Sequence, residues 1–277
     1  GHLFCVLKNV KESVSTNKLL LGHNIYQFKV YFSNLSTQNK TKSIEIWGTK
    51  TPEILSYEIV GTYKHQRDAY TQGLQYHNGF LYEGTGRFGK SVIRKVQIVD
   101  GEVLQEKSMP AHQFGEGITI VGQKIYQLTW KSFSGSVYDL NTLEKIQSFY
   151  YPENVEGWGL TFNGTHLIMS DGSNRLFFWD ESITMSDHFV TVGDDKKTYN
   201  NINELEYVDG FIYANVYLKN MILKIDPSSG EVVAAVDFTG LLSEKDKMSL
   251  RDPQGEVLNG IAYNSEKQTF YITGKNW

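Results

Sequence analysis

Three observations in the sequence predict an all-β fold, a five-bladed β-propeller. The first is an internal repeat. The stretches "QGLQYHNGFLYEGT", "EGITIVGQKIYQLTW", "WGLTFNGTHLIMSDGS", "NELEYVDGFIYANVY" and "NGIAYNSEKQTFYITGK" align with Gly73, Gly117, Gly159, Glu204 and Gly260 as equivalents, at intervals of 44, 42, 45 and 56 residues. That is the range in which repeats signal propeller blades. The second is that each unit continues as strands: "VIRKVQI" then "EVLQEKSM", "SGSVYDL" then "EKIQSFYY", "RLFFWD" then "MSDHFVTV", "MILKID" then "EVVAAVDF". Four antiparallel strands per unit, repeated about an axis, is propeller architecture. The third is turn chemistry between them, as at Val99-Asp100-Gly101, Asp139-Leu140-Asn141 and Pro227-Ser228-Ser229-Gly230, where Asn, Asp and Gly supply hairpin geometry. Trp179-Asp180 is a single Trp-Asp pair without a Gly-His partner, so the repeat is not of the WD40 kind.

Taken in chain order, residues 1–50 lie outside the repeat and form an extension that is partly β, with "IYQFKVYF" and "KSIEIWGT" expected to pair as a hairpin. Residues 51–277 form the propeller. Within it, "ILSYEIVGTYKH" at 54–65 has a strand pattern, and the fifth unit breaks off at Trp277 after about two strands. The N-terminal strand is therefore expected to close the last blade and remove an exposed edge. "GTGRFGKS" at 84–91 satisfies both G-x-G-x-x-G and the phosphate-loop string. A phosphate loop must open a helix, however, and "SVIRKVQIV" alternates like a strand, so the string reads as a turn between strands. The long fourth interval is taken up by "LLSEKDKMSLRDPQGE", a charged insertion with room for a short helix over one face.

The bulk properties exclude several classes. A net charge of -4 with interspersed signs gives no basic stripe for nucleic acid and no polybasic membrane patch. No apolar run approaches the roughly 20 residues of a membrane helix. Cys5 is the only cysteine, which excludes an intramolecular disulfide and a thiolate zinc site. The histidines show no H-E-x-x-H or i,i+4 ligand pair, and there is no G-x-S-x-G elbow. No metal or other cofactor is expected. Triplets at Asn34-Leu35-Ser36, Asn39-Lys40-Thr41 and Asn163-Gly164-Thr165 fit glycosylation of a secretory-pathway or extracytoplasmic protein, expected to be a monomer.

First strands of propeller blades line the axis, so residues at their starts converge at one mouth of the channel. Those positions hold Tyr70-Thr71-Gln72, Phe114-Gly115-Glu116, Gly157-Trp158, Asn203-Glu204 and Asn259, and the second strands add Trp130, Tyr217 and Lys275. Carboxylates, a lysine, amides and rings together suit a small polar ligand with an aliphatic stem. Plainer roles stand beside this one. Glu116 and Lys275 can pair as a structural ion pair, the large rings can be core, and Glu204 and Glu206 can be strand-edge acids. Glu116, Asn203, Glu204 and Asn259 can also be read as oxygen ligands of a calcium-dependent, lactonase-like hydrolase.

The motifs "YTQGL", "LYEGTGRFGKSVIRKV", "FGEGIT", "YQLTW", "GWGLT", "SDGS", "NELEYVDGFIYAN", "VLNGIAY" and "ITGKNW" together resemble the glutaminyl cyclases (glutaminyl-peptide cyclotransferases) of the plant and bacterial type, over about residues 54–277. The resemblance implies a five-bladed propeller that converts the N-terminal glutamine of peptides or proteins to pyroglutamate with loss of ammonia. It implies independence of metal, since the zinc-dependent animal-type enzyme is an unrelated fold. By motif, the family's site positions fall on Gln72, Phe114, Glu116, Trp130, Trp158, Asn203 and Lys275. Two positions depart from the pattern: Tyr70 stands where Phe is frequent and Tyr217 where Trp is common. The expected chemistry has Glu116 carrying the proton, Lys275 with an amide of Gln72 or Asn203 stabilising the oxyanion, and Tyr70, Phe114, Trp130, Trp158 and Tyr217 enclosing the substrate. The competing reading is a non-catalytic propeller that binds peptide ends or glycans.

Overall fold

The computed structural model describes residues 20–31, 37–180, 183 and 185–277. Cys5, His2 and the triplet at 34–36 lie outside the described residues. The expected hairpin is present as β1 (Gly22–Tyr31) paired antiparallel with β2 (Thr37–Ile46). A three-residue strand β3 (Glu53–Leu55) follows. Then come β4 (Thr71–His77), β5 (Phe80–Thr85), β6 (Val92–Gln97) and β7 (Val103–Ser108) in one four-stranded antiparallel sheet. The next four-stranded sheet holds β8 (Gly115–Val121), β9 (Lys124–Thr129), β10 (Ser134–Asp139) and β11 (Lys145–Tyr150). The third holds β12 (Leu160–Phe162), β13 (Leu167–Ser170), β14 (Arg175–Trp179) and β15 (Met185–Thr191). The fourth holds β16 (Ile202–Val208), β17 (Phe211–Val216), β18 (Met221–Ile225) and β19 (Val232–Asp237), and β20 (Leu258–Asn264) pairs with β21 (Thr269–Gly274) in a last, two-stranded sheet. Of the 84–91 string, Gly84 and Thr85 end β5 and residues 86–91 turn into β6.

The architecture is all-β and propeller-like. Inner strands β4, β8, β12, β16 and β20 lie side by side in that order, and β20 returns to β4. A hydrophobic core fills four of the five gaps between neighbouring sheets, from the first sheet round to the last. Ile93 of the first packs with Ile118 and Ile125 of the second, Leu128 with Met169 and Trp179, Ile168 with Leu205 and Leu223, and Ile222 with Leu258 and Ile261. These side chains are almost wholly buried, each worth about 1.5–3 kcal/mol of hydrophobic stabilisation. The repeat glycine has a steric reason. A Cβ on Gly117 would stand 2.6 Å from Leu160 N, and that same backbone closeness lets Gly117 N donate to Trp158 O at 2.7 Å across the sheets.

One expectation is corrected at the ring's seam. β3 does not extend the last sheet; it pairs in parallel with β19, the outer edge of the fourth. Residues 56–65 then run past β21 without joining a ladder, making contact through side chains such as Tyr63 on Tyr271 and leaving a groove of about 430 Å³. Alternating β-branched residues specify extended backbone, but not the edge it joins. The charged insertion does carry a short helix, α1 (Glu244–Met248), with Ser243 as N-cap: its Oγ accepts from Asp246 N at 3.1 Å.

Candidate active site

The inner strands share a local irregularity that aims their side chains. In β4, β8, β16 and β20 the register to the second strand shifts between Thr71 and Gly73, Gly115 and Ile118, Ile202 and Leu205, and Leu258 and Ile261. A bulge of this kind breaks pairing and re-aims the extra residue. Gln72, Glu116, Asn203 and Asn259 lie inside the four irregularities, the last three each followed there by a second residue, Gly117, Glu204 and Gly260. Trp130, Tyr217 and Lys275 each stand one residue past the end of β9, β17 and β21. The site is thus one position of the repeat, read around the ring.

All nine residues singled out from the sequence, Tyr70, Gln72, Phe114, Glu116, Trp130, Trp158, Asn203, Tyr217 and Lys275, line a single cavity of about 240 Å³. The larger groove beside residues 56–61 lies away from them. Gln72, Glu116, Asn203 and Lys275 are each no more than 5% exposed. Gln72 Nε2 donates to Glu116 Oε1 at 2.9 Å, and Asn259 Nδ2 donates to Thr71 O at 2.9 Å and Gln72 Oε1 at 3.3 Å. Gln72 is therefore held at both ends of its amide. The buried Asn203 Oδ1 has no protein partner, leaving an acceptor for a bound donor.

Burial pushes the Glu116 carboxyl well above the usual range; Lys275 draws it partly back and Glu156 adds to the rise. Burial also lowers Lys275, to about 8, against the pull of Glu116. The two do not meet as a direct ion pair: Glu116 takes its hydrogen bond from Gln72, and the Lys275 ammonium stands over the rings of Tyr70 and Tyr217 at 4.9 and 4.8 Å. Tyr70 carries the Arg87 guanidinium at 4.2 Å as well, and burial pushes its hydroxyl up to about 12. Phe114 meets Trp130 edge-on at 5.7 Å, as Trp158 meets Tyr217 at 5.7 Å. These indoles are pocket walls. The core indole is Trp179, which is fully buried.

Glu204 and Glu206 are not edge acids. Glu204 accepts from Leu74 N at 3.2 Å and Ile261 N at 2.8 Å, and Glu206 accepts from Tyr263 N at 3.0 Å, so both stitch inner strands together. With Glu204 committed in this way, the calcium-ligand reading loses one of its four donors. Among the described residues no group of three or more His, Cys, Asp or Glu is placed to hold a metal. The sequence reading missed Arg87 and Glu156 at the rim. The signal was present for Glu156, a carboxylate two residues before Trp158 in a loop at the channel mouth.

The matching family model, glutamine cyclotransferase, covers residues 29–277. The chain belongs to the glutamine cyclotransferase family. It is 34% identical over 263 residues to a glutaminyl-peptide cyclotransferase of Arabidopsis thaliana, covering 93% of this chain and 78% of that one. The crystal structure of Myxococcus xanthus glutaminyl cyclase matches with a TM-score of 0.73 and 30% identity, over 79% of this chain and 92% of that one. The family match starts at residue 29, so it takes in residues 29–50 of the extension, all of which the motif resemblance, from residue 54, leaves out.

Proposed function

We propose that the cavity takes the N-terminal glutaminyl residue of a peptide or protein and closes it to pyroglutamate with release of ammonia. The observation that carries this is the buried Glu116, raised in basicity and hydrogen-bonded to Gln72, in a ring-walled cavity that also holds Lys275. An N-terminal α-ammonium titrates at about 7.7–8.0, so a carboxyl raised by burial is closer to it in proton affinity than an ordinary one. Glu116 takes the proton that frees the α-amine, which attacks the γ-carbonyl carbon. The same carboxyl hands that proton to the amide nitrogen, whose C–N bond breaks, and the further proton shed by the new lactam nitrogen leaves with the ammonia as ammonium.

Because nucleophile and electrophile belong to one residue, the protein's work is to fix one rotamer and stabilise charge. Gln72 is occupied with Glu116 and Asn259, so the oxyanion falls to Lys275, and Asn203 Oδ1 accepts from an N–H of the substrate. A well-placed oxyanion donor is worth roughly 3–4 kcal/mol. The aromatic walls enclose the methylenes and exclude water, which keeps hydrolysis to glutamate from competing.

The wider proposal is a monomer of the secretory or extracytoplasmic space, in which the two-stranded last sheet counts as the fifth blade, propped by the 56–65 stretch. The division into an extension, 1–50, and a catalytic propeller, 51–277, belongs to the same proposal. The test is ammonia release from a Gln-initiated dipeptide amide with EDTA present, beside an Asn-initiated control. Turnover of the Gln substrate alone, undiminished by EDTA, is expected. Silence from folded protein would leave a binding propeller, and loss under EDTA would require a metal.

A further inference from the structure

Two walls of the cavity hang on one carboxylate outside the family motifs. Glu156 lies in the loop between β11 and β12, and its Oε2 accepts from Nε1 of both Trp130, at 2.6 Å, and Trp158, at 3.1 Å. The indoles come from different sheets, one following β9 and the other preceding β12. An indole has a single polar atom, a donor, so one oxygen satisfies both rings and fixes their relative orientation. Behind it, Glu156 Oε1 faces Lys131 Nζ at 3.7 Å, and that ammonium stands 4.3 Å over the Trp130 ring. Each indole is then braced on its other side, Trp130 by Phe114 and Trp158 by Tyr217.

We propose that Glu156 is a positioning residue that locks Trp130 and Trp158 into one continuous wall, shaping the cavity for the glutaminyl side chain. This rests on the function proposed above and adds a residue that the motifs do not contain. Without the carboxylate both indole N–H groups lose their partner, and each ring can turn about its two side-chain torsions. The wall then opens to water and grips the methylenes less well, while Glu116 and Gln72 stay where the strand bulges put them and Lys275 stays one residue past the end of β21. The carboxylate also acts at a distance. Among the groups facing Glu116, Lys275 favours its ionised form and Glu156 opposes it, with Tyr70 and Tyr151 as its titratable aromatic neighbours.

The experiment compares Glu156→Ala and Glu156→Gln by steady-state kinetics on a Gln-initiated dipeptide amide and by near-ultraviolet circular dichroism of the tryptophans. The alanine variant is expected to raise KM about tenfold, the scale of a lost hydrogen bond to a charged group, with kcat within about threefold and an altered indole spectrum. The glutamine variant keeps an oxygen for both indoles, so KM and spectrum should stay at wild-type values. It removes a negative charge near Glu116, so the acid limb of its kcat/KM profile should move to lower pH. An alanine variant with wild-type KM and spectrum overturns the proposal, as does a glutamine variant no better than alanine. Should the alanine variant fail to fold, Glu156→Ser, whose side chain is too short to reach either indole, takes its place, and wild-type KM and spectrum in it overturn the proposal. An inactive wild type would sink the cyclisation reading instead, and the indole spectra would still decide the clamp.

Discussion

Glu83 and Glu116 are both buried carboxylates on inner parts of adjacent sheets, 1% and 5% exposed, yet their surroundings drive them in opposite directions. Around Glu83, Oε1 takes His65 Nε2 at 2.9 Å and Thr71 Oγ1 at 2.6 Å, and Oε2 takes Arg94 Nε at 2.8 Å. Burial alone would raise this carboxyl, but His65, Arg94 and Thr71 outweigh it and bring it to about 2. Glu116 receives one bond from a neutral amide, and its cation stands off over aromatic rings. Depth is thus shared, and donors decide. The first region is built to hold a charge and the second to exchange a proton.

The Glu83 network also does what the sequence assigned to a strand. His65 ends the 54–65 stretch, and its Nδ1 lies 3.1 Å from Trp277 O and 3.2 Å from Thr273 Oγ1. An extended segment outside any ladder is thereby tied to the first sheet through Glu83 and to the last through β21. Burial opposes charging of His65, but Glu83 and the Trp277 carbonyl overcome it and raise the imidazole above its ordinary value.

The sharpest way to break the comparison is to neutralise each carboxylate in turn. Glu116→Gln should cost about 10³–10⁴-fold in kcat/KM, the upper range for a general acid–base group. It should not destabilise the protein at pH 8 and should raise its thermal midpoint there. The sign follows from linkage. A carboxyl whose folded pKa is raised costs stability as pH climbs above its unfolded value, and glutamine removes that cost. A variant that keeps near-normal turnover, or one that melts earlier, would put Glu116 in the same class as Glu83.

Glu83→Gln should do the reverse. Leaving Arg94 and His65 buried beside a neutral amide is expected to cost about 3 kcal/mol or somewhat more in unfolding free energy, with kcat of the folded fraction within a few-fold of wild type. The pH dependence sharpens it. With its folded pKa near 2 against an ordinary 4.5, Glu83 stabilises above about 4.5, and that contribution, on the order of 3 kcal/mol, is lost as pH falls toward 2. His65 works with the opposite sign: its contribution is complete below about 6.5 and lost as pH rises through its raised folded value. Urea unfolding at pH 3, 5.5 and 8 should show the wild-type advantage over the variant greatest at pH 5.5. A constant difference across the three would remove the charge network as the cause.

Much of this was legible in the sequence, for a reason the bulges make plain. The repeat marks which residues start each inner strand, and a bulge there in β4, β8, β16 and β20 re-aims Gln72, Glu116, Asn203 and Asn259, while Trp158 precedes β12 without one, so equivalence in the repeat became proximity in space. The walls Trp130 and Tyr217 and the lysine Lys275 followed from the same register, one residue past the second strand. What the pattern could not carry was pairing that depends on side-chain donors. The 54–65 stretch reads as a strand because its residues are extended and β-branched, whereas its attachment runs through His65. Glu204 occupies the place of a repeat glycine, and its carboxylate serves backbone N–H groups of two other strands. Glu156 sits in a loop outside the strand repeat; its place two residues before Trp158 was visible in the sequence, but its hold on two indoles shows only in the geometry.

The smallest effect worth measuring lies one bond behind the proton carrier. Asn259 donates to Gln72 Oε1 and to Thr71 O, and Gln72 in turn donates to Glu116. The amide of Gln72 therefore has a fixed sense, with its N–H₂ toward the carboxylate, only while Asn259 holds its oxygen. Asn259→Ala frees that amide to turn and to offer its oxygen to Glu116, which would favour the protonated carboxyl still more. The expected loss is about five- to tenfold in kcat, the worth of one buried hydrogen bond, with KM little changed because Asn259 is not among the residues lining the cavity. The loss should be largest on the acid side of the profile, where a harder-to-ionise Glu116 matters most. Unchanged kcat across that range would mean that Gln72 keeps its orientation without Asn259.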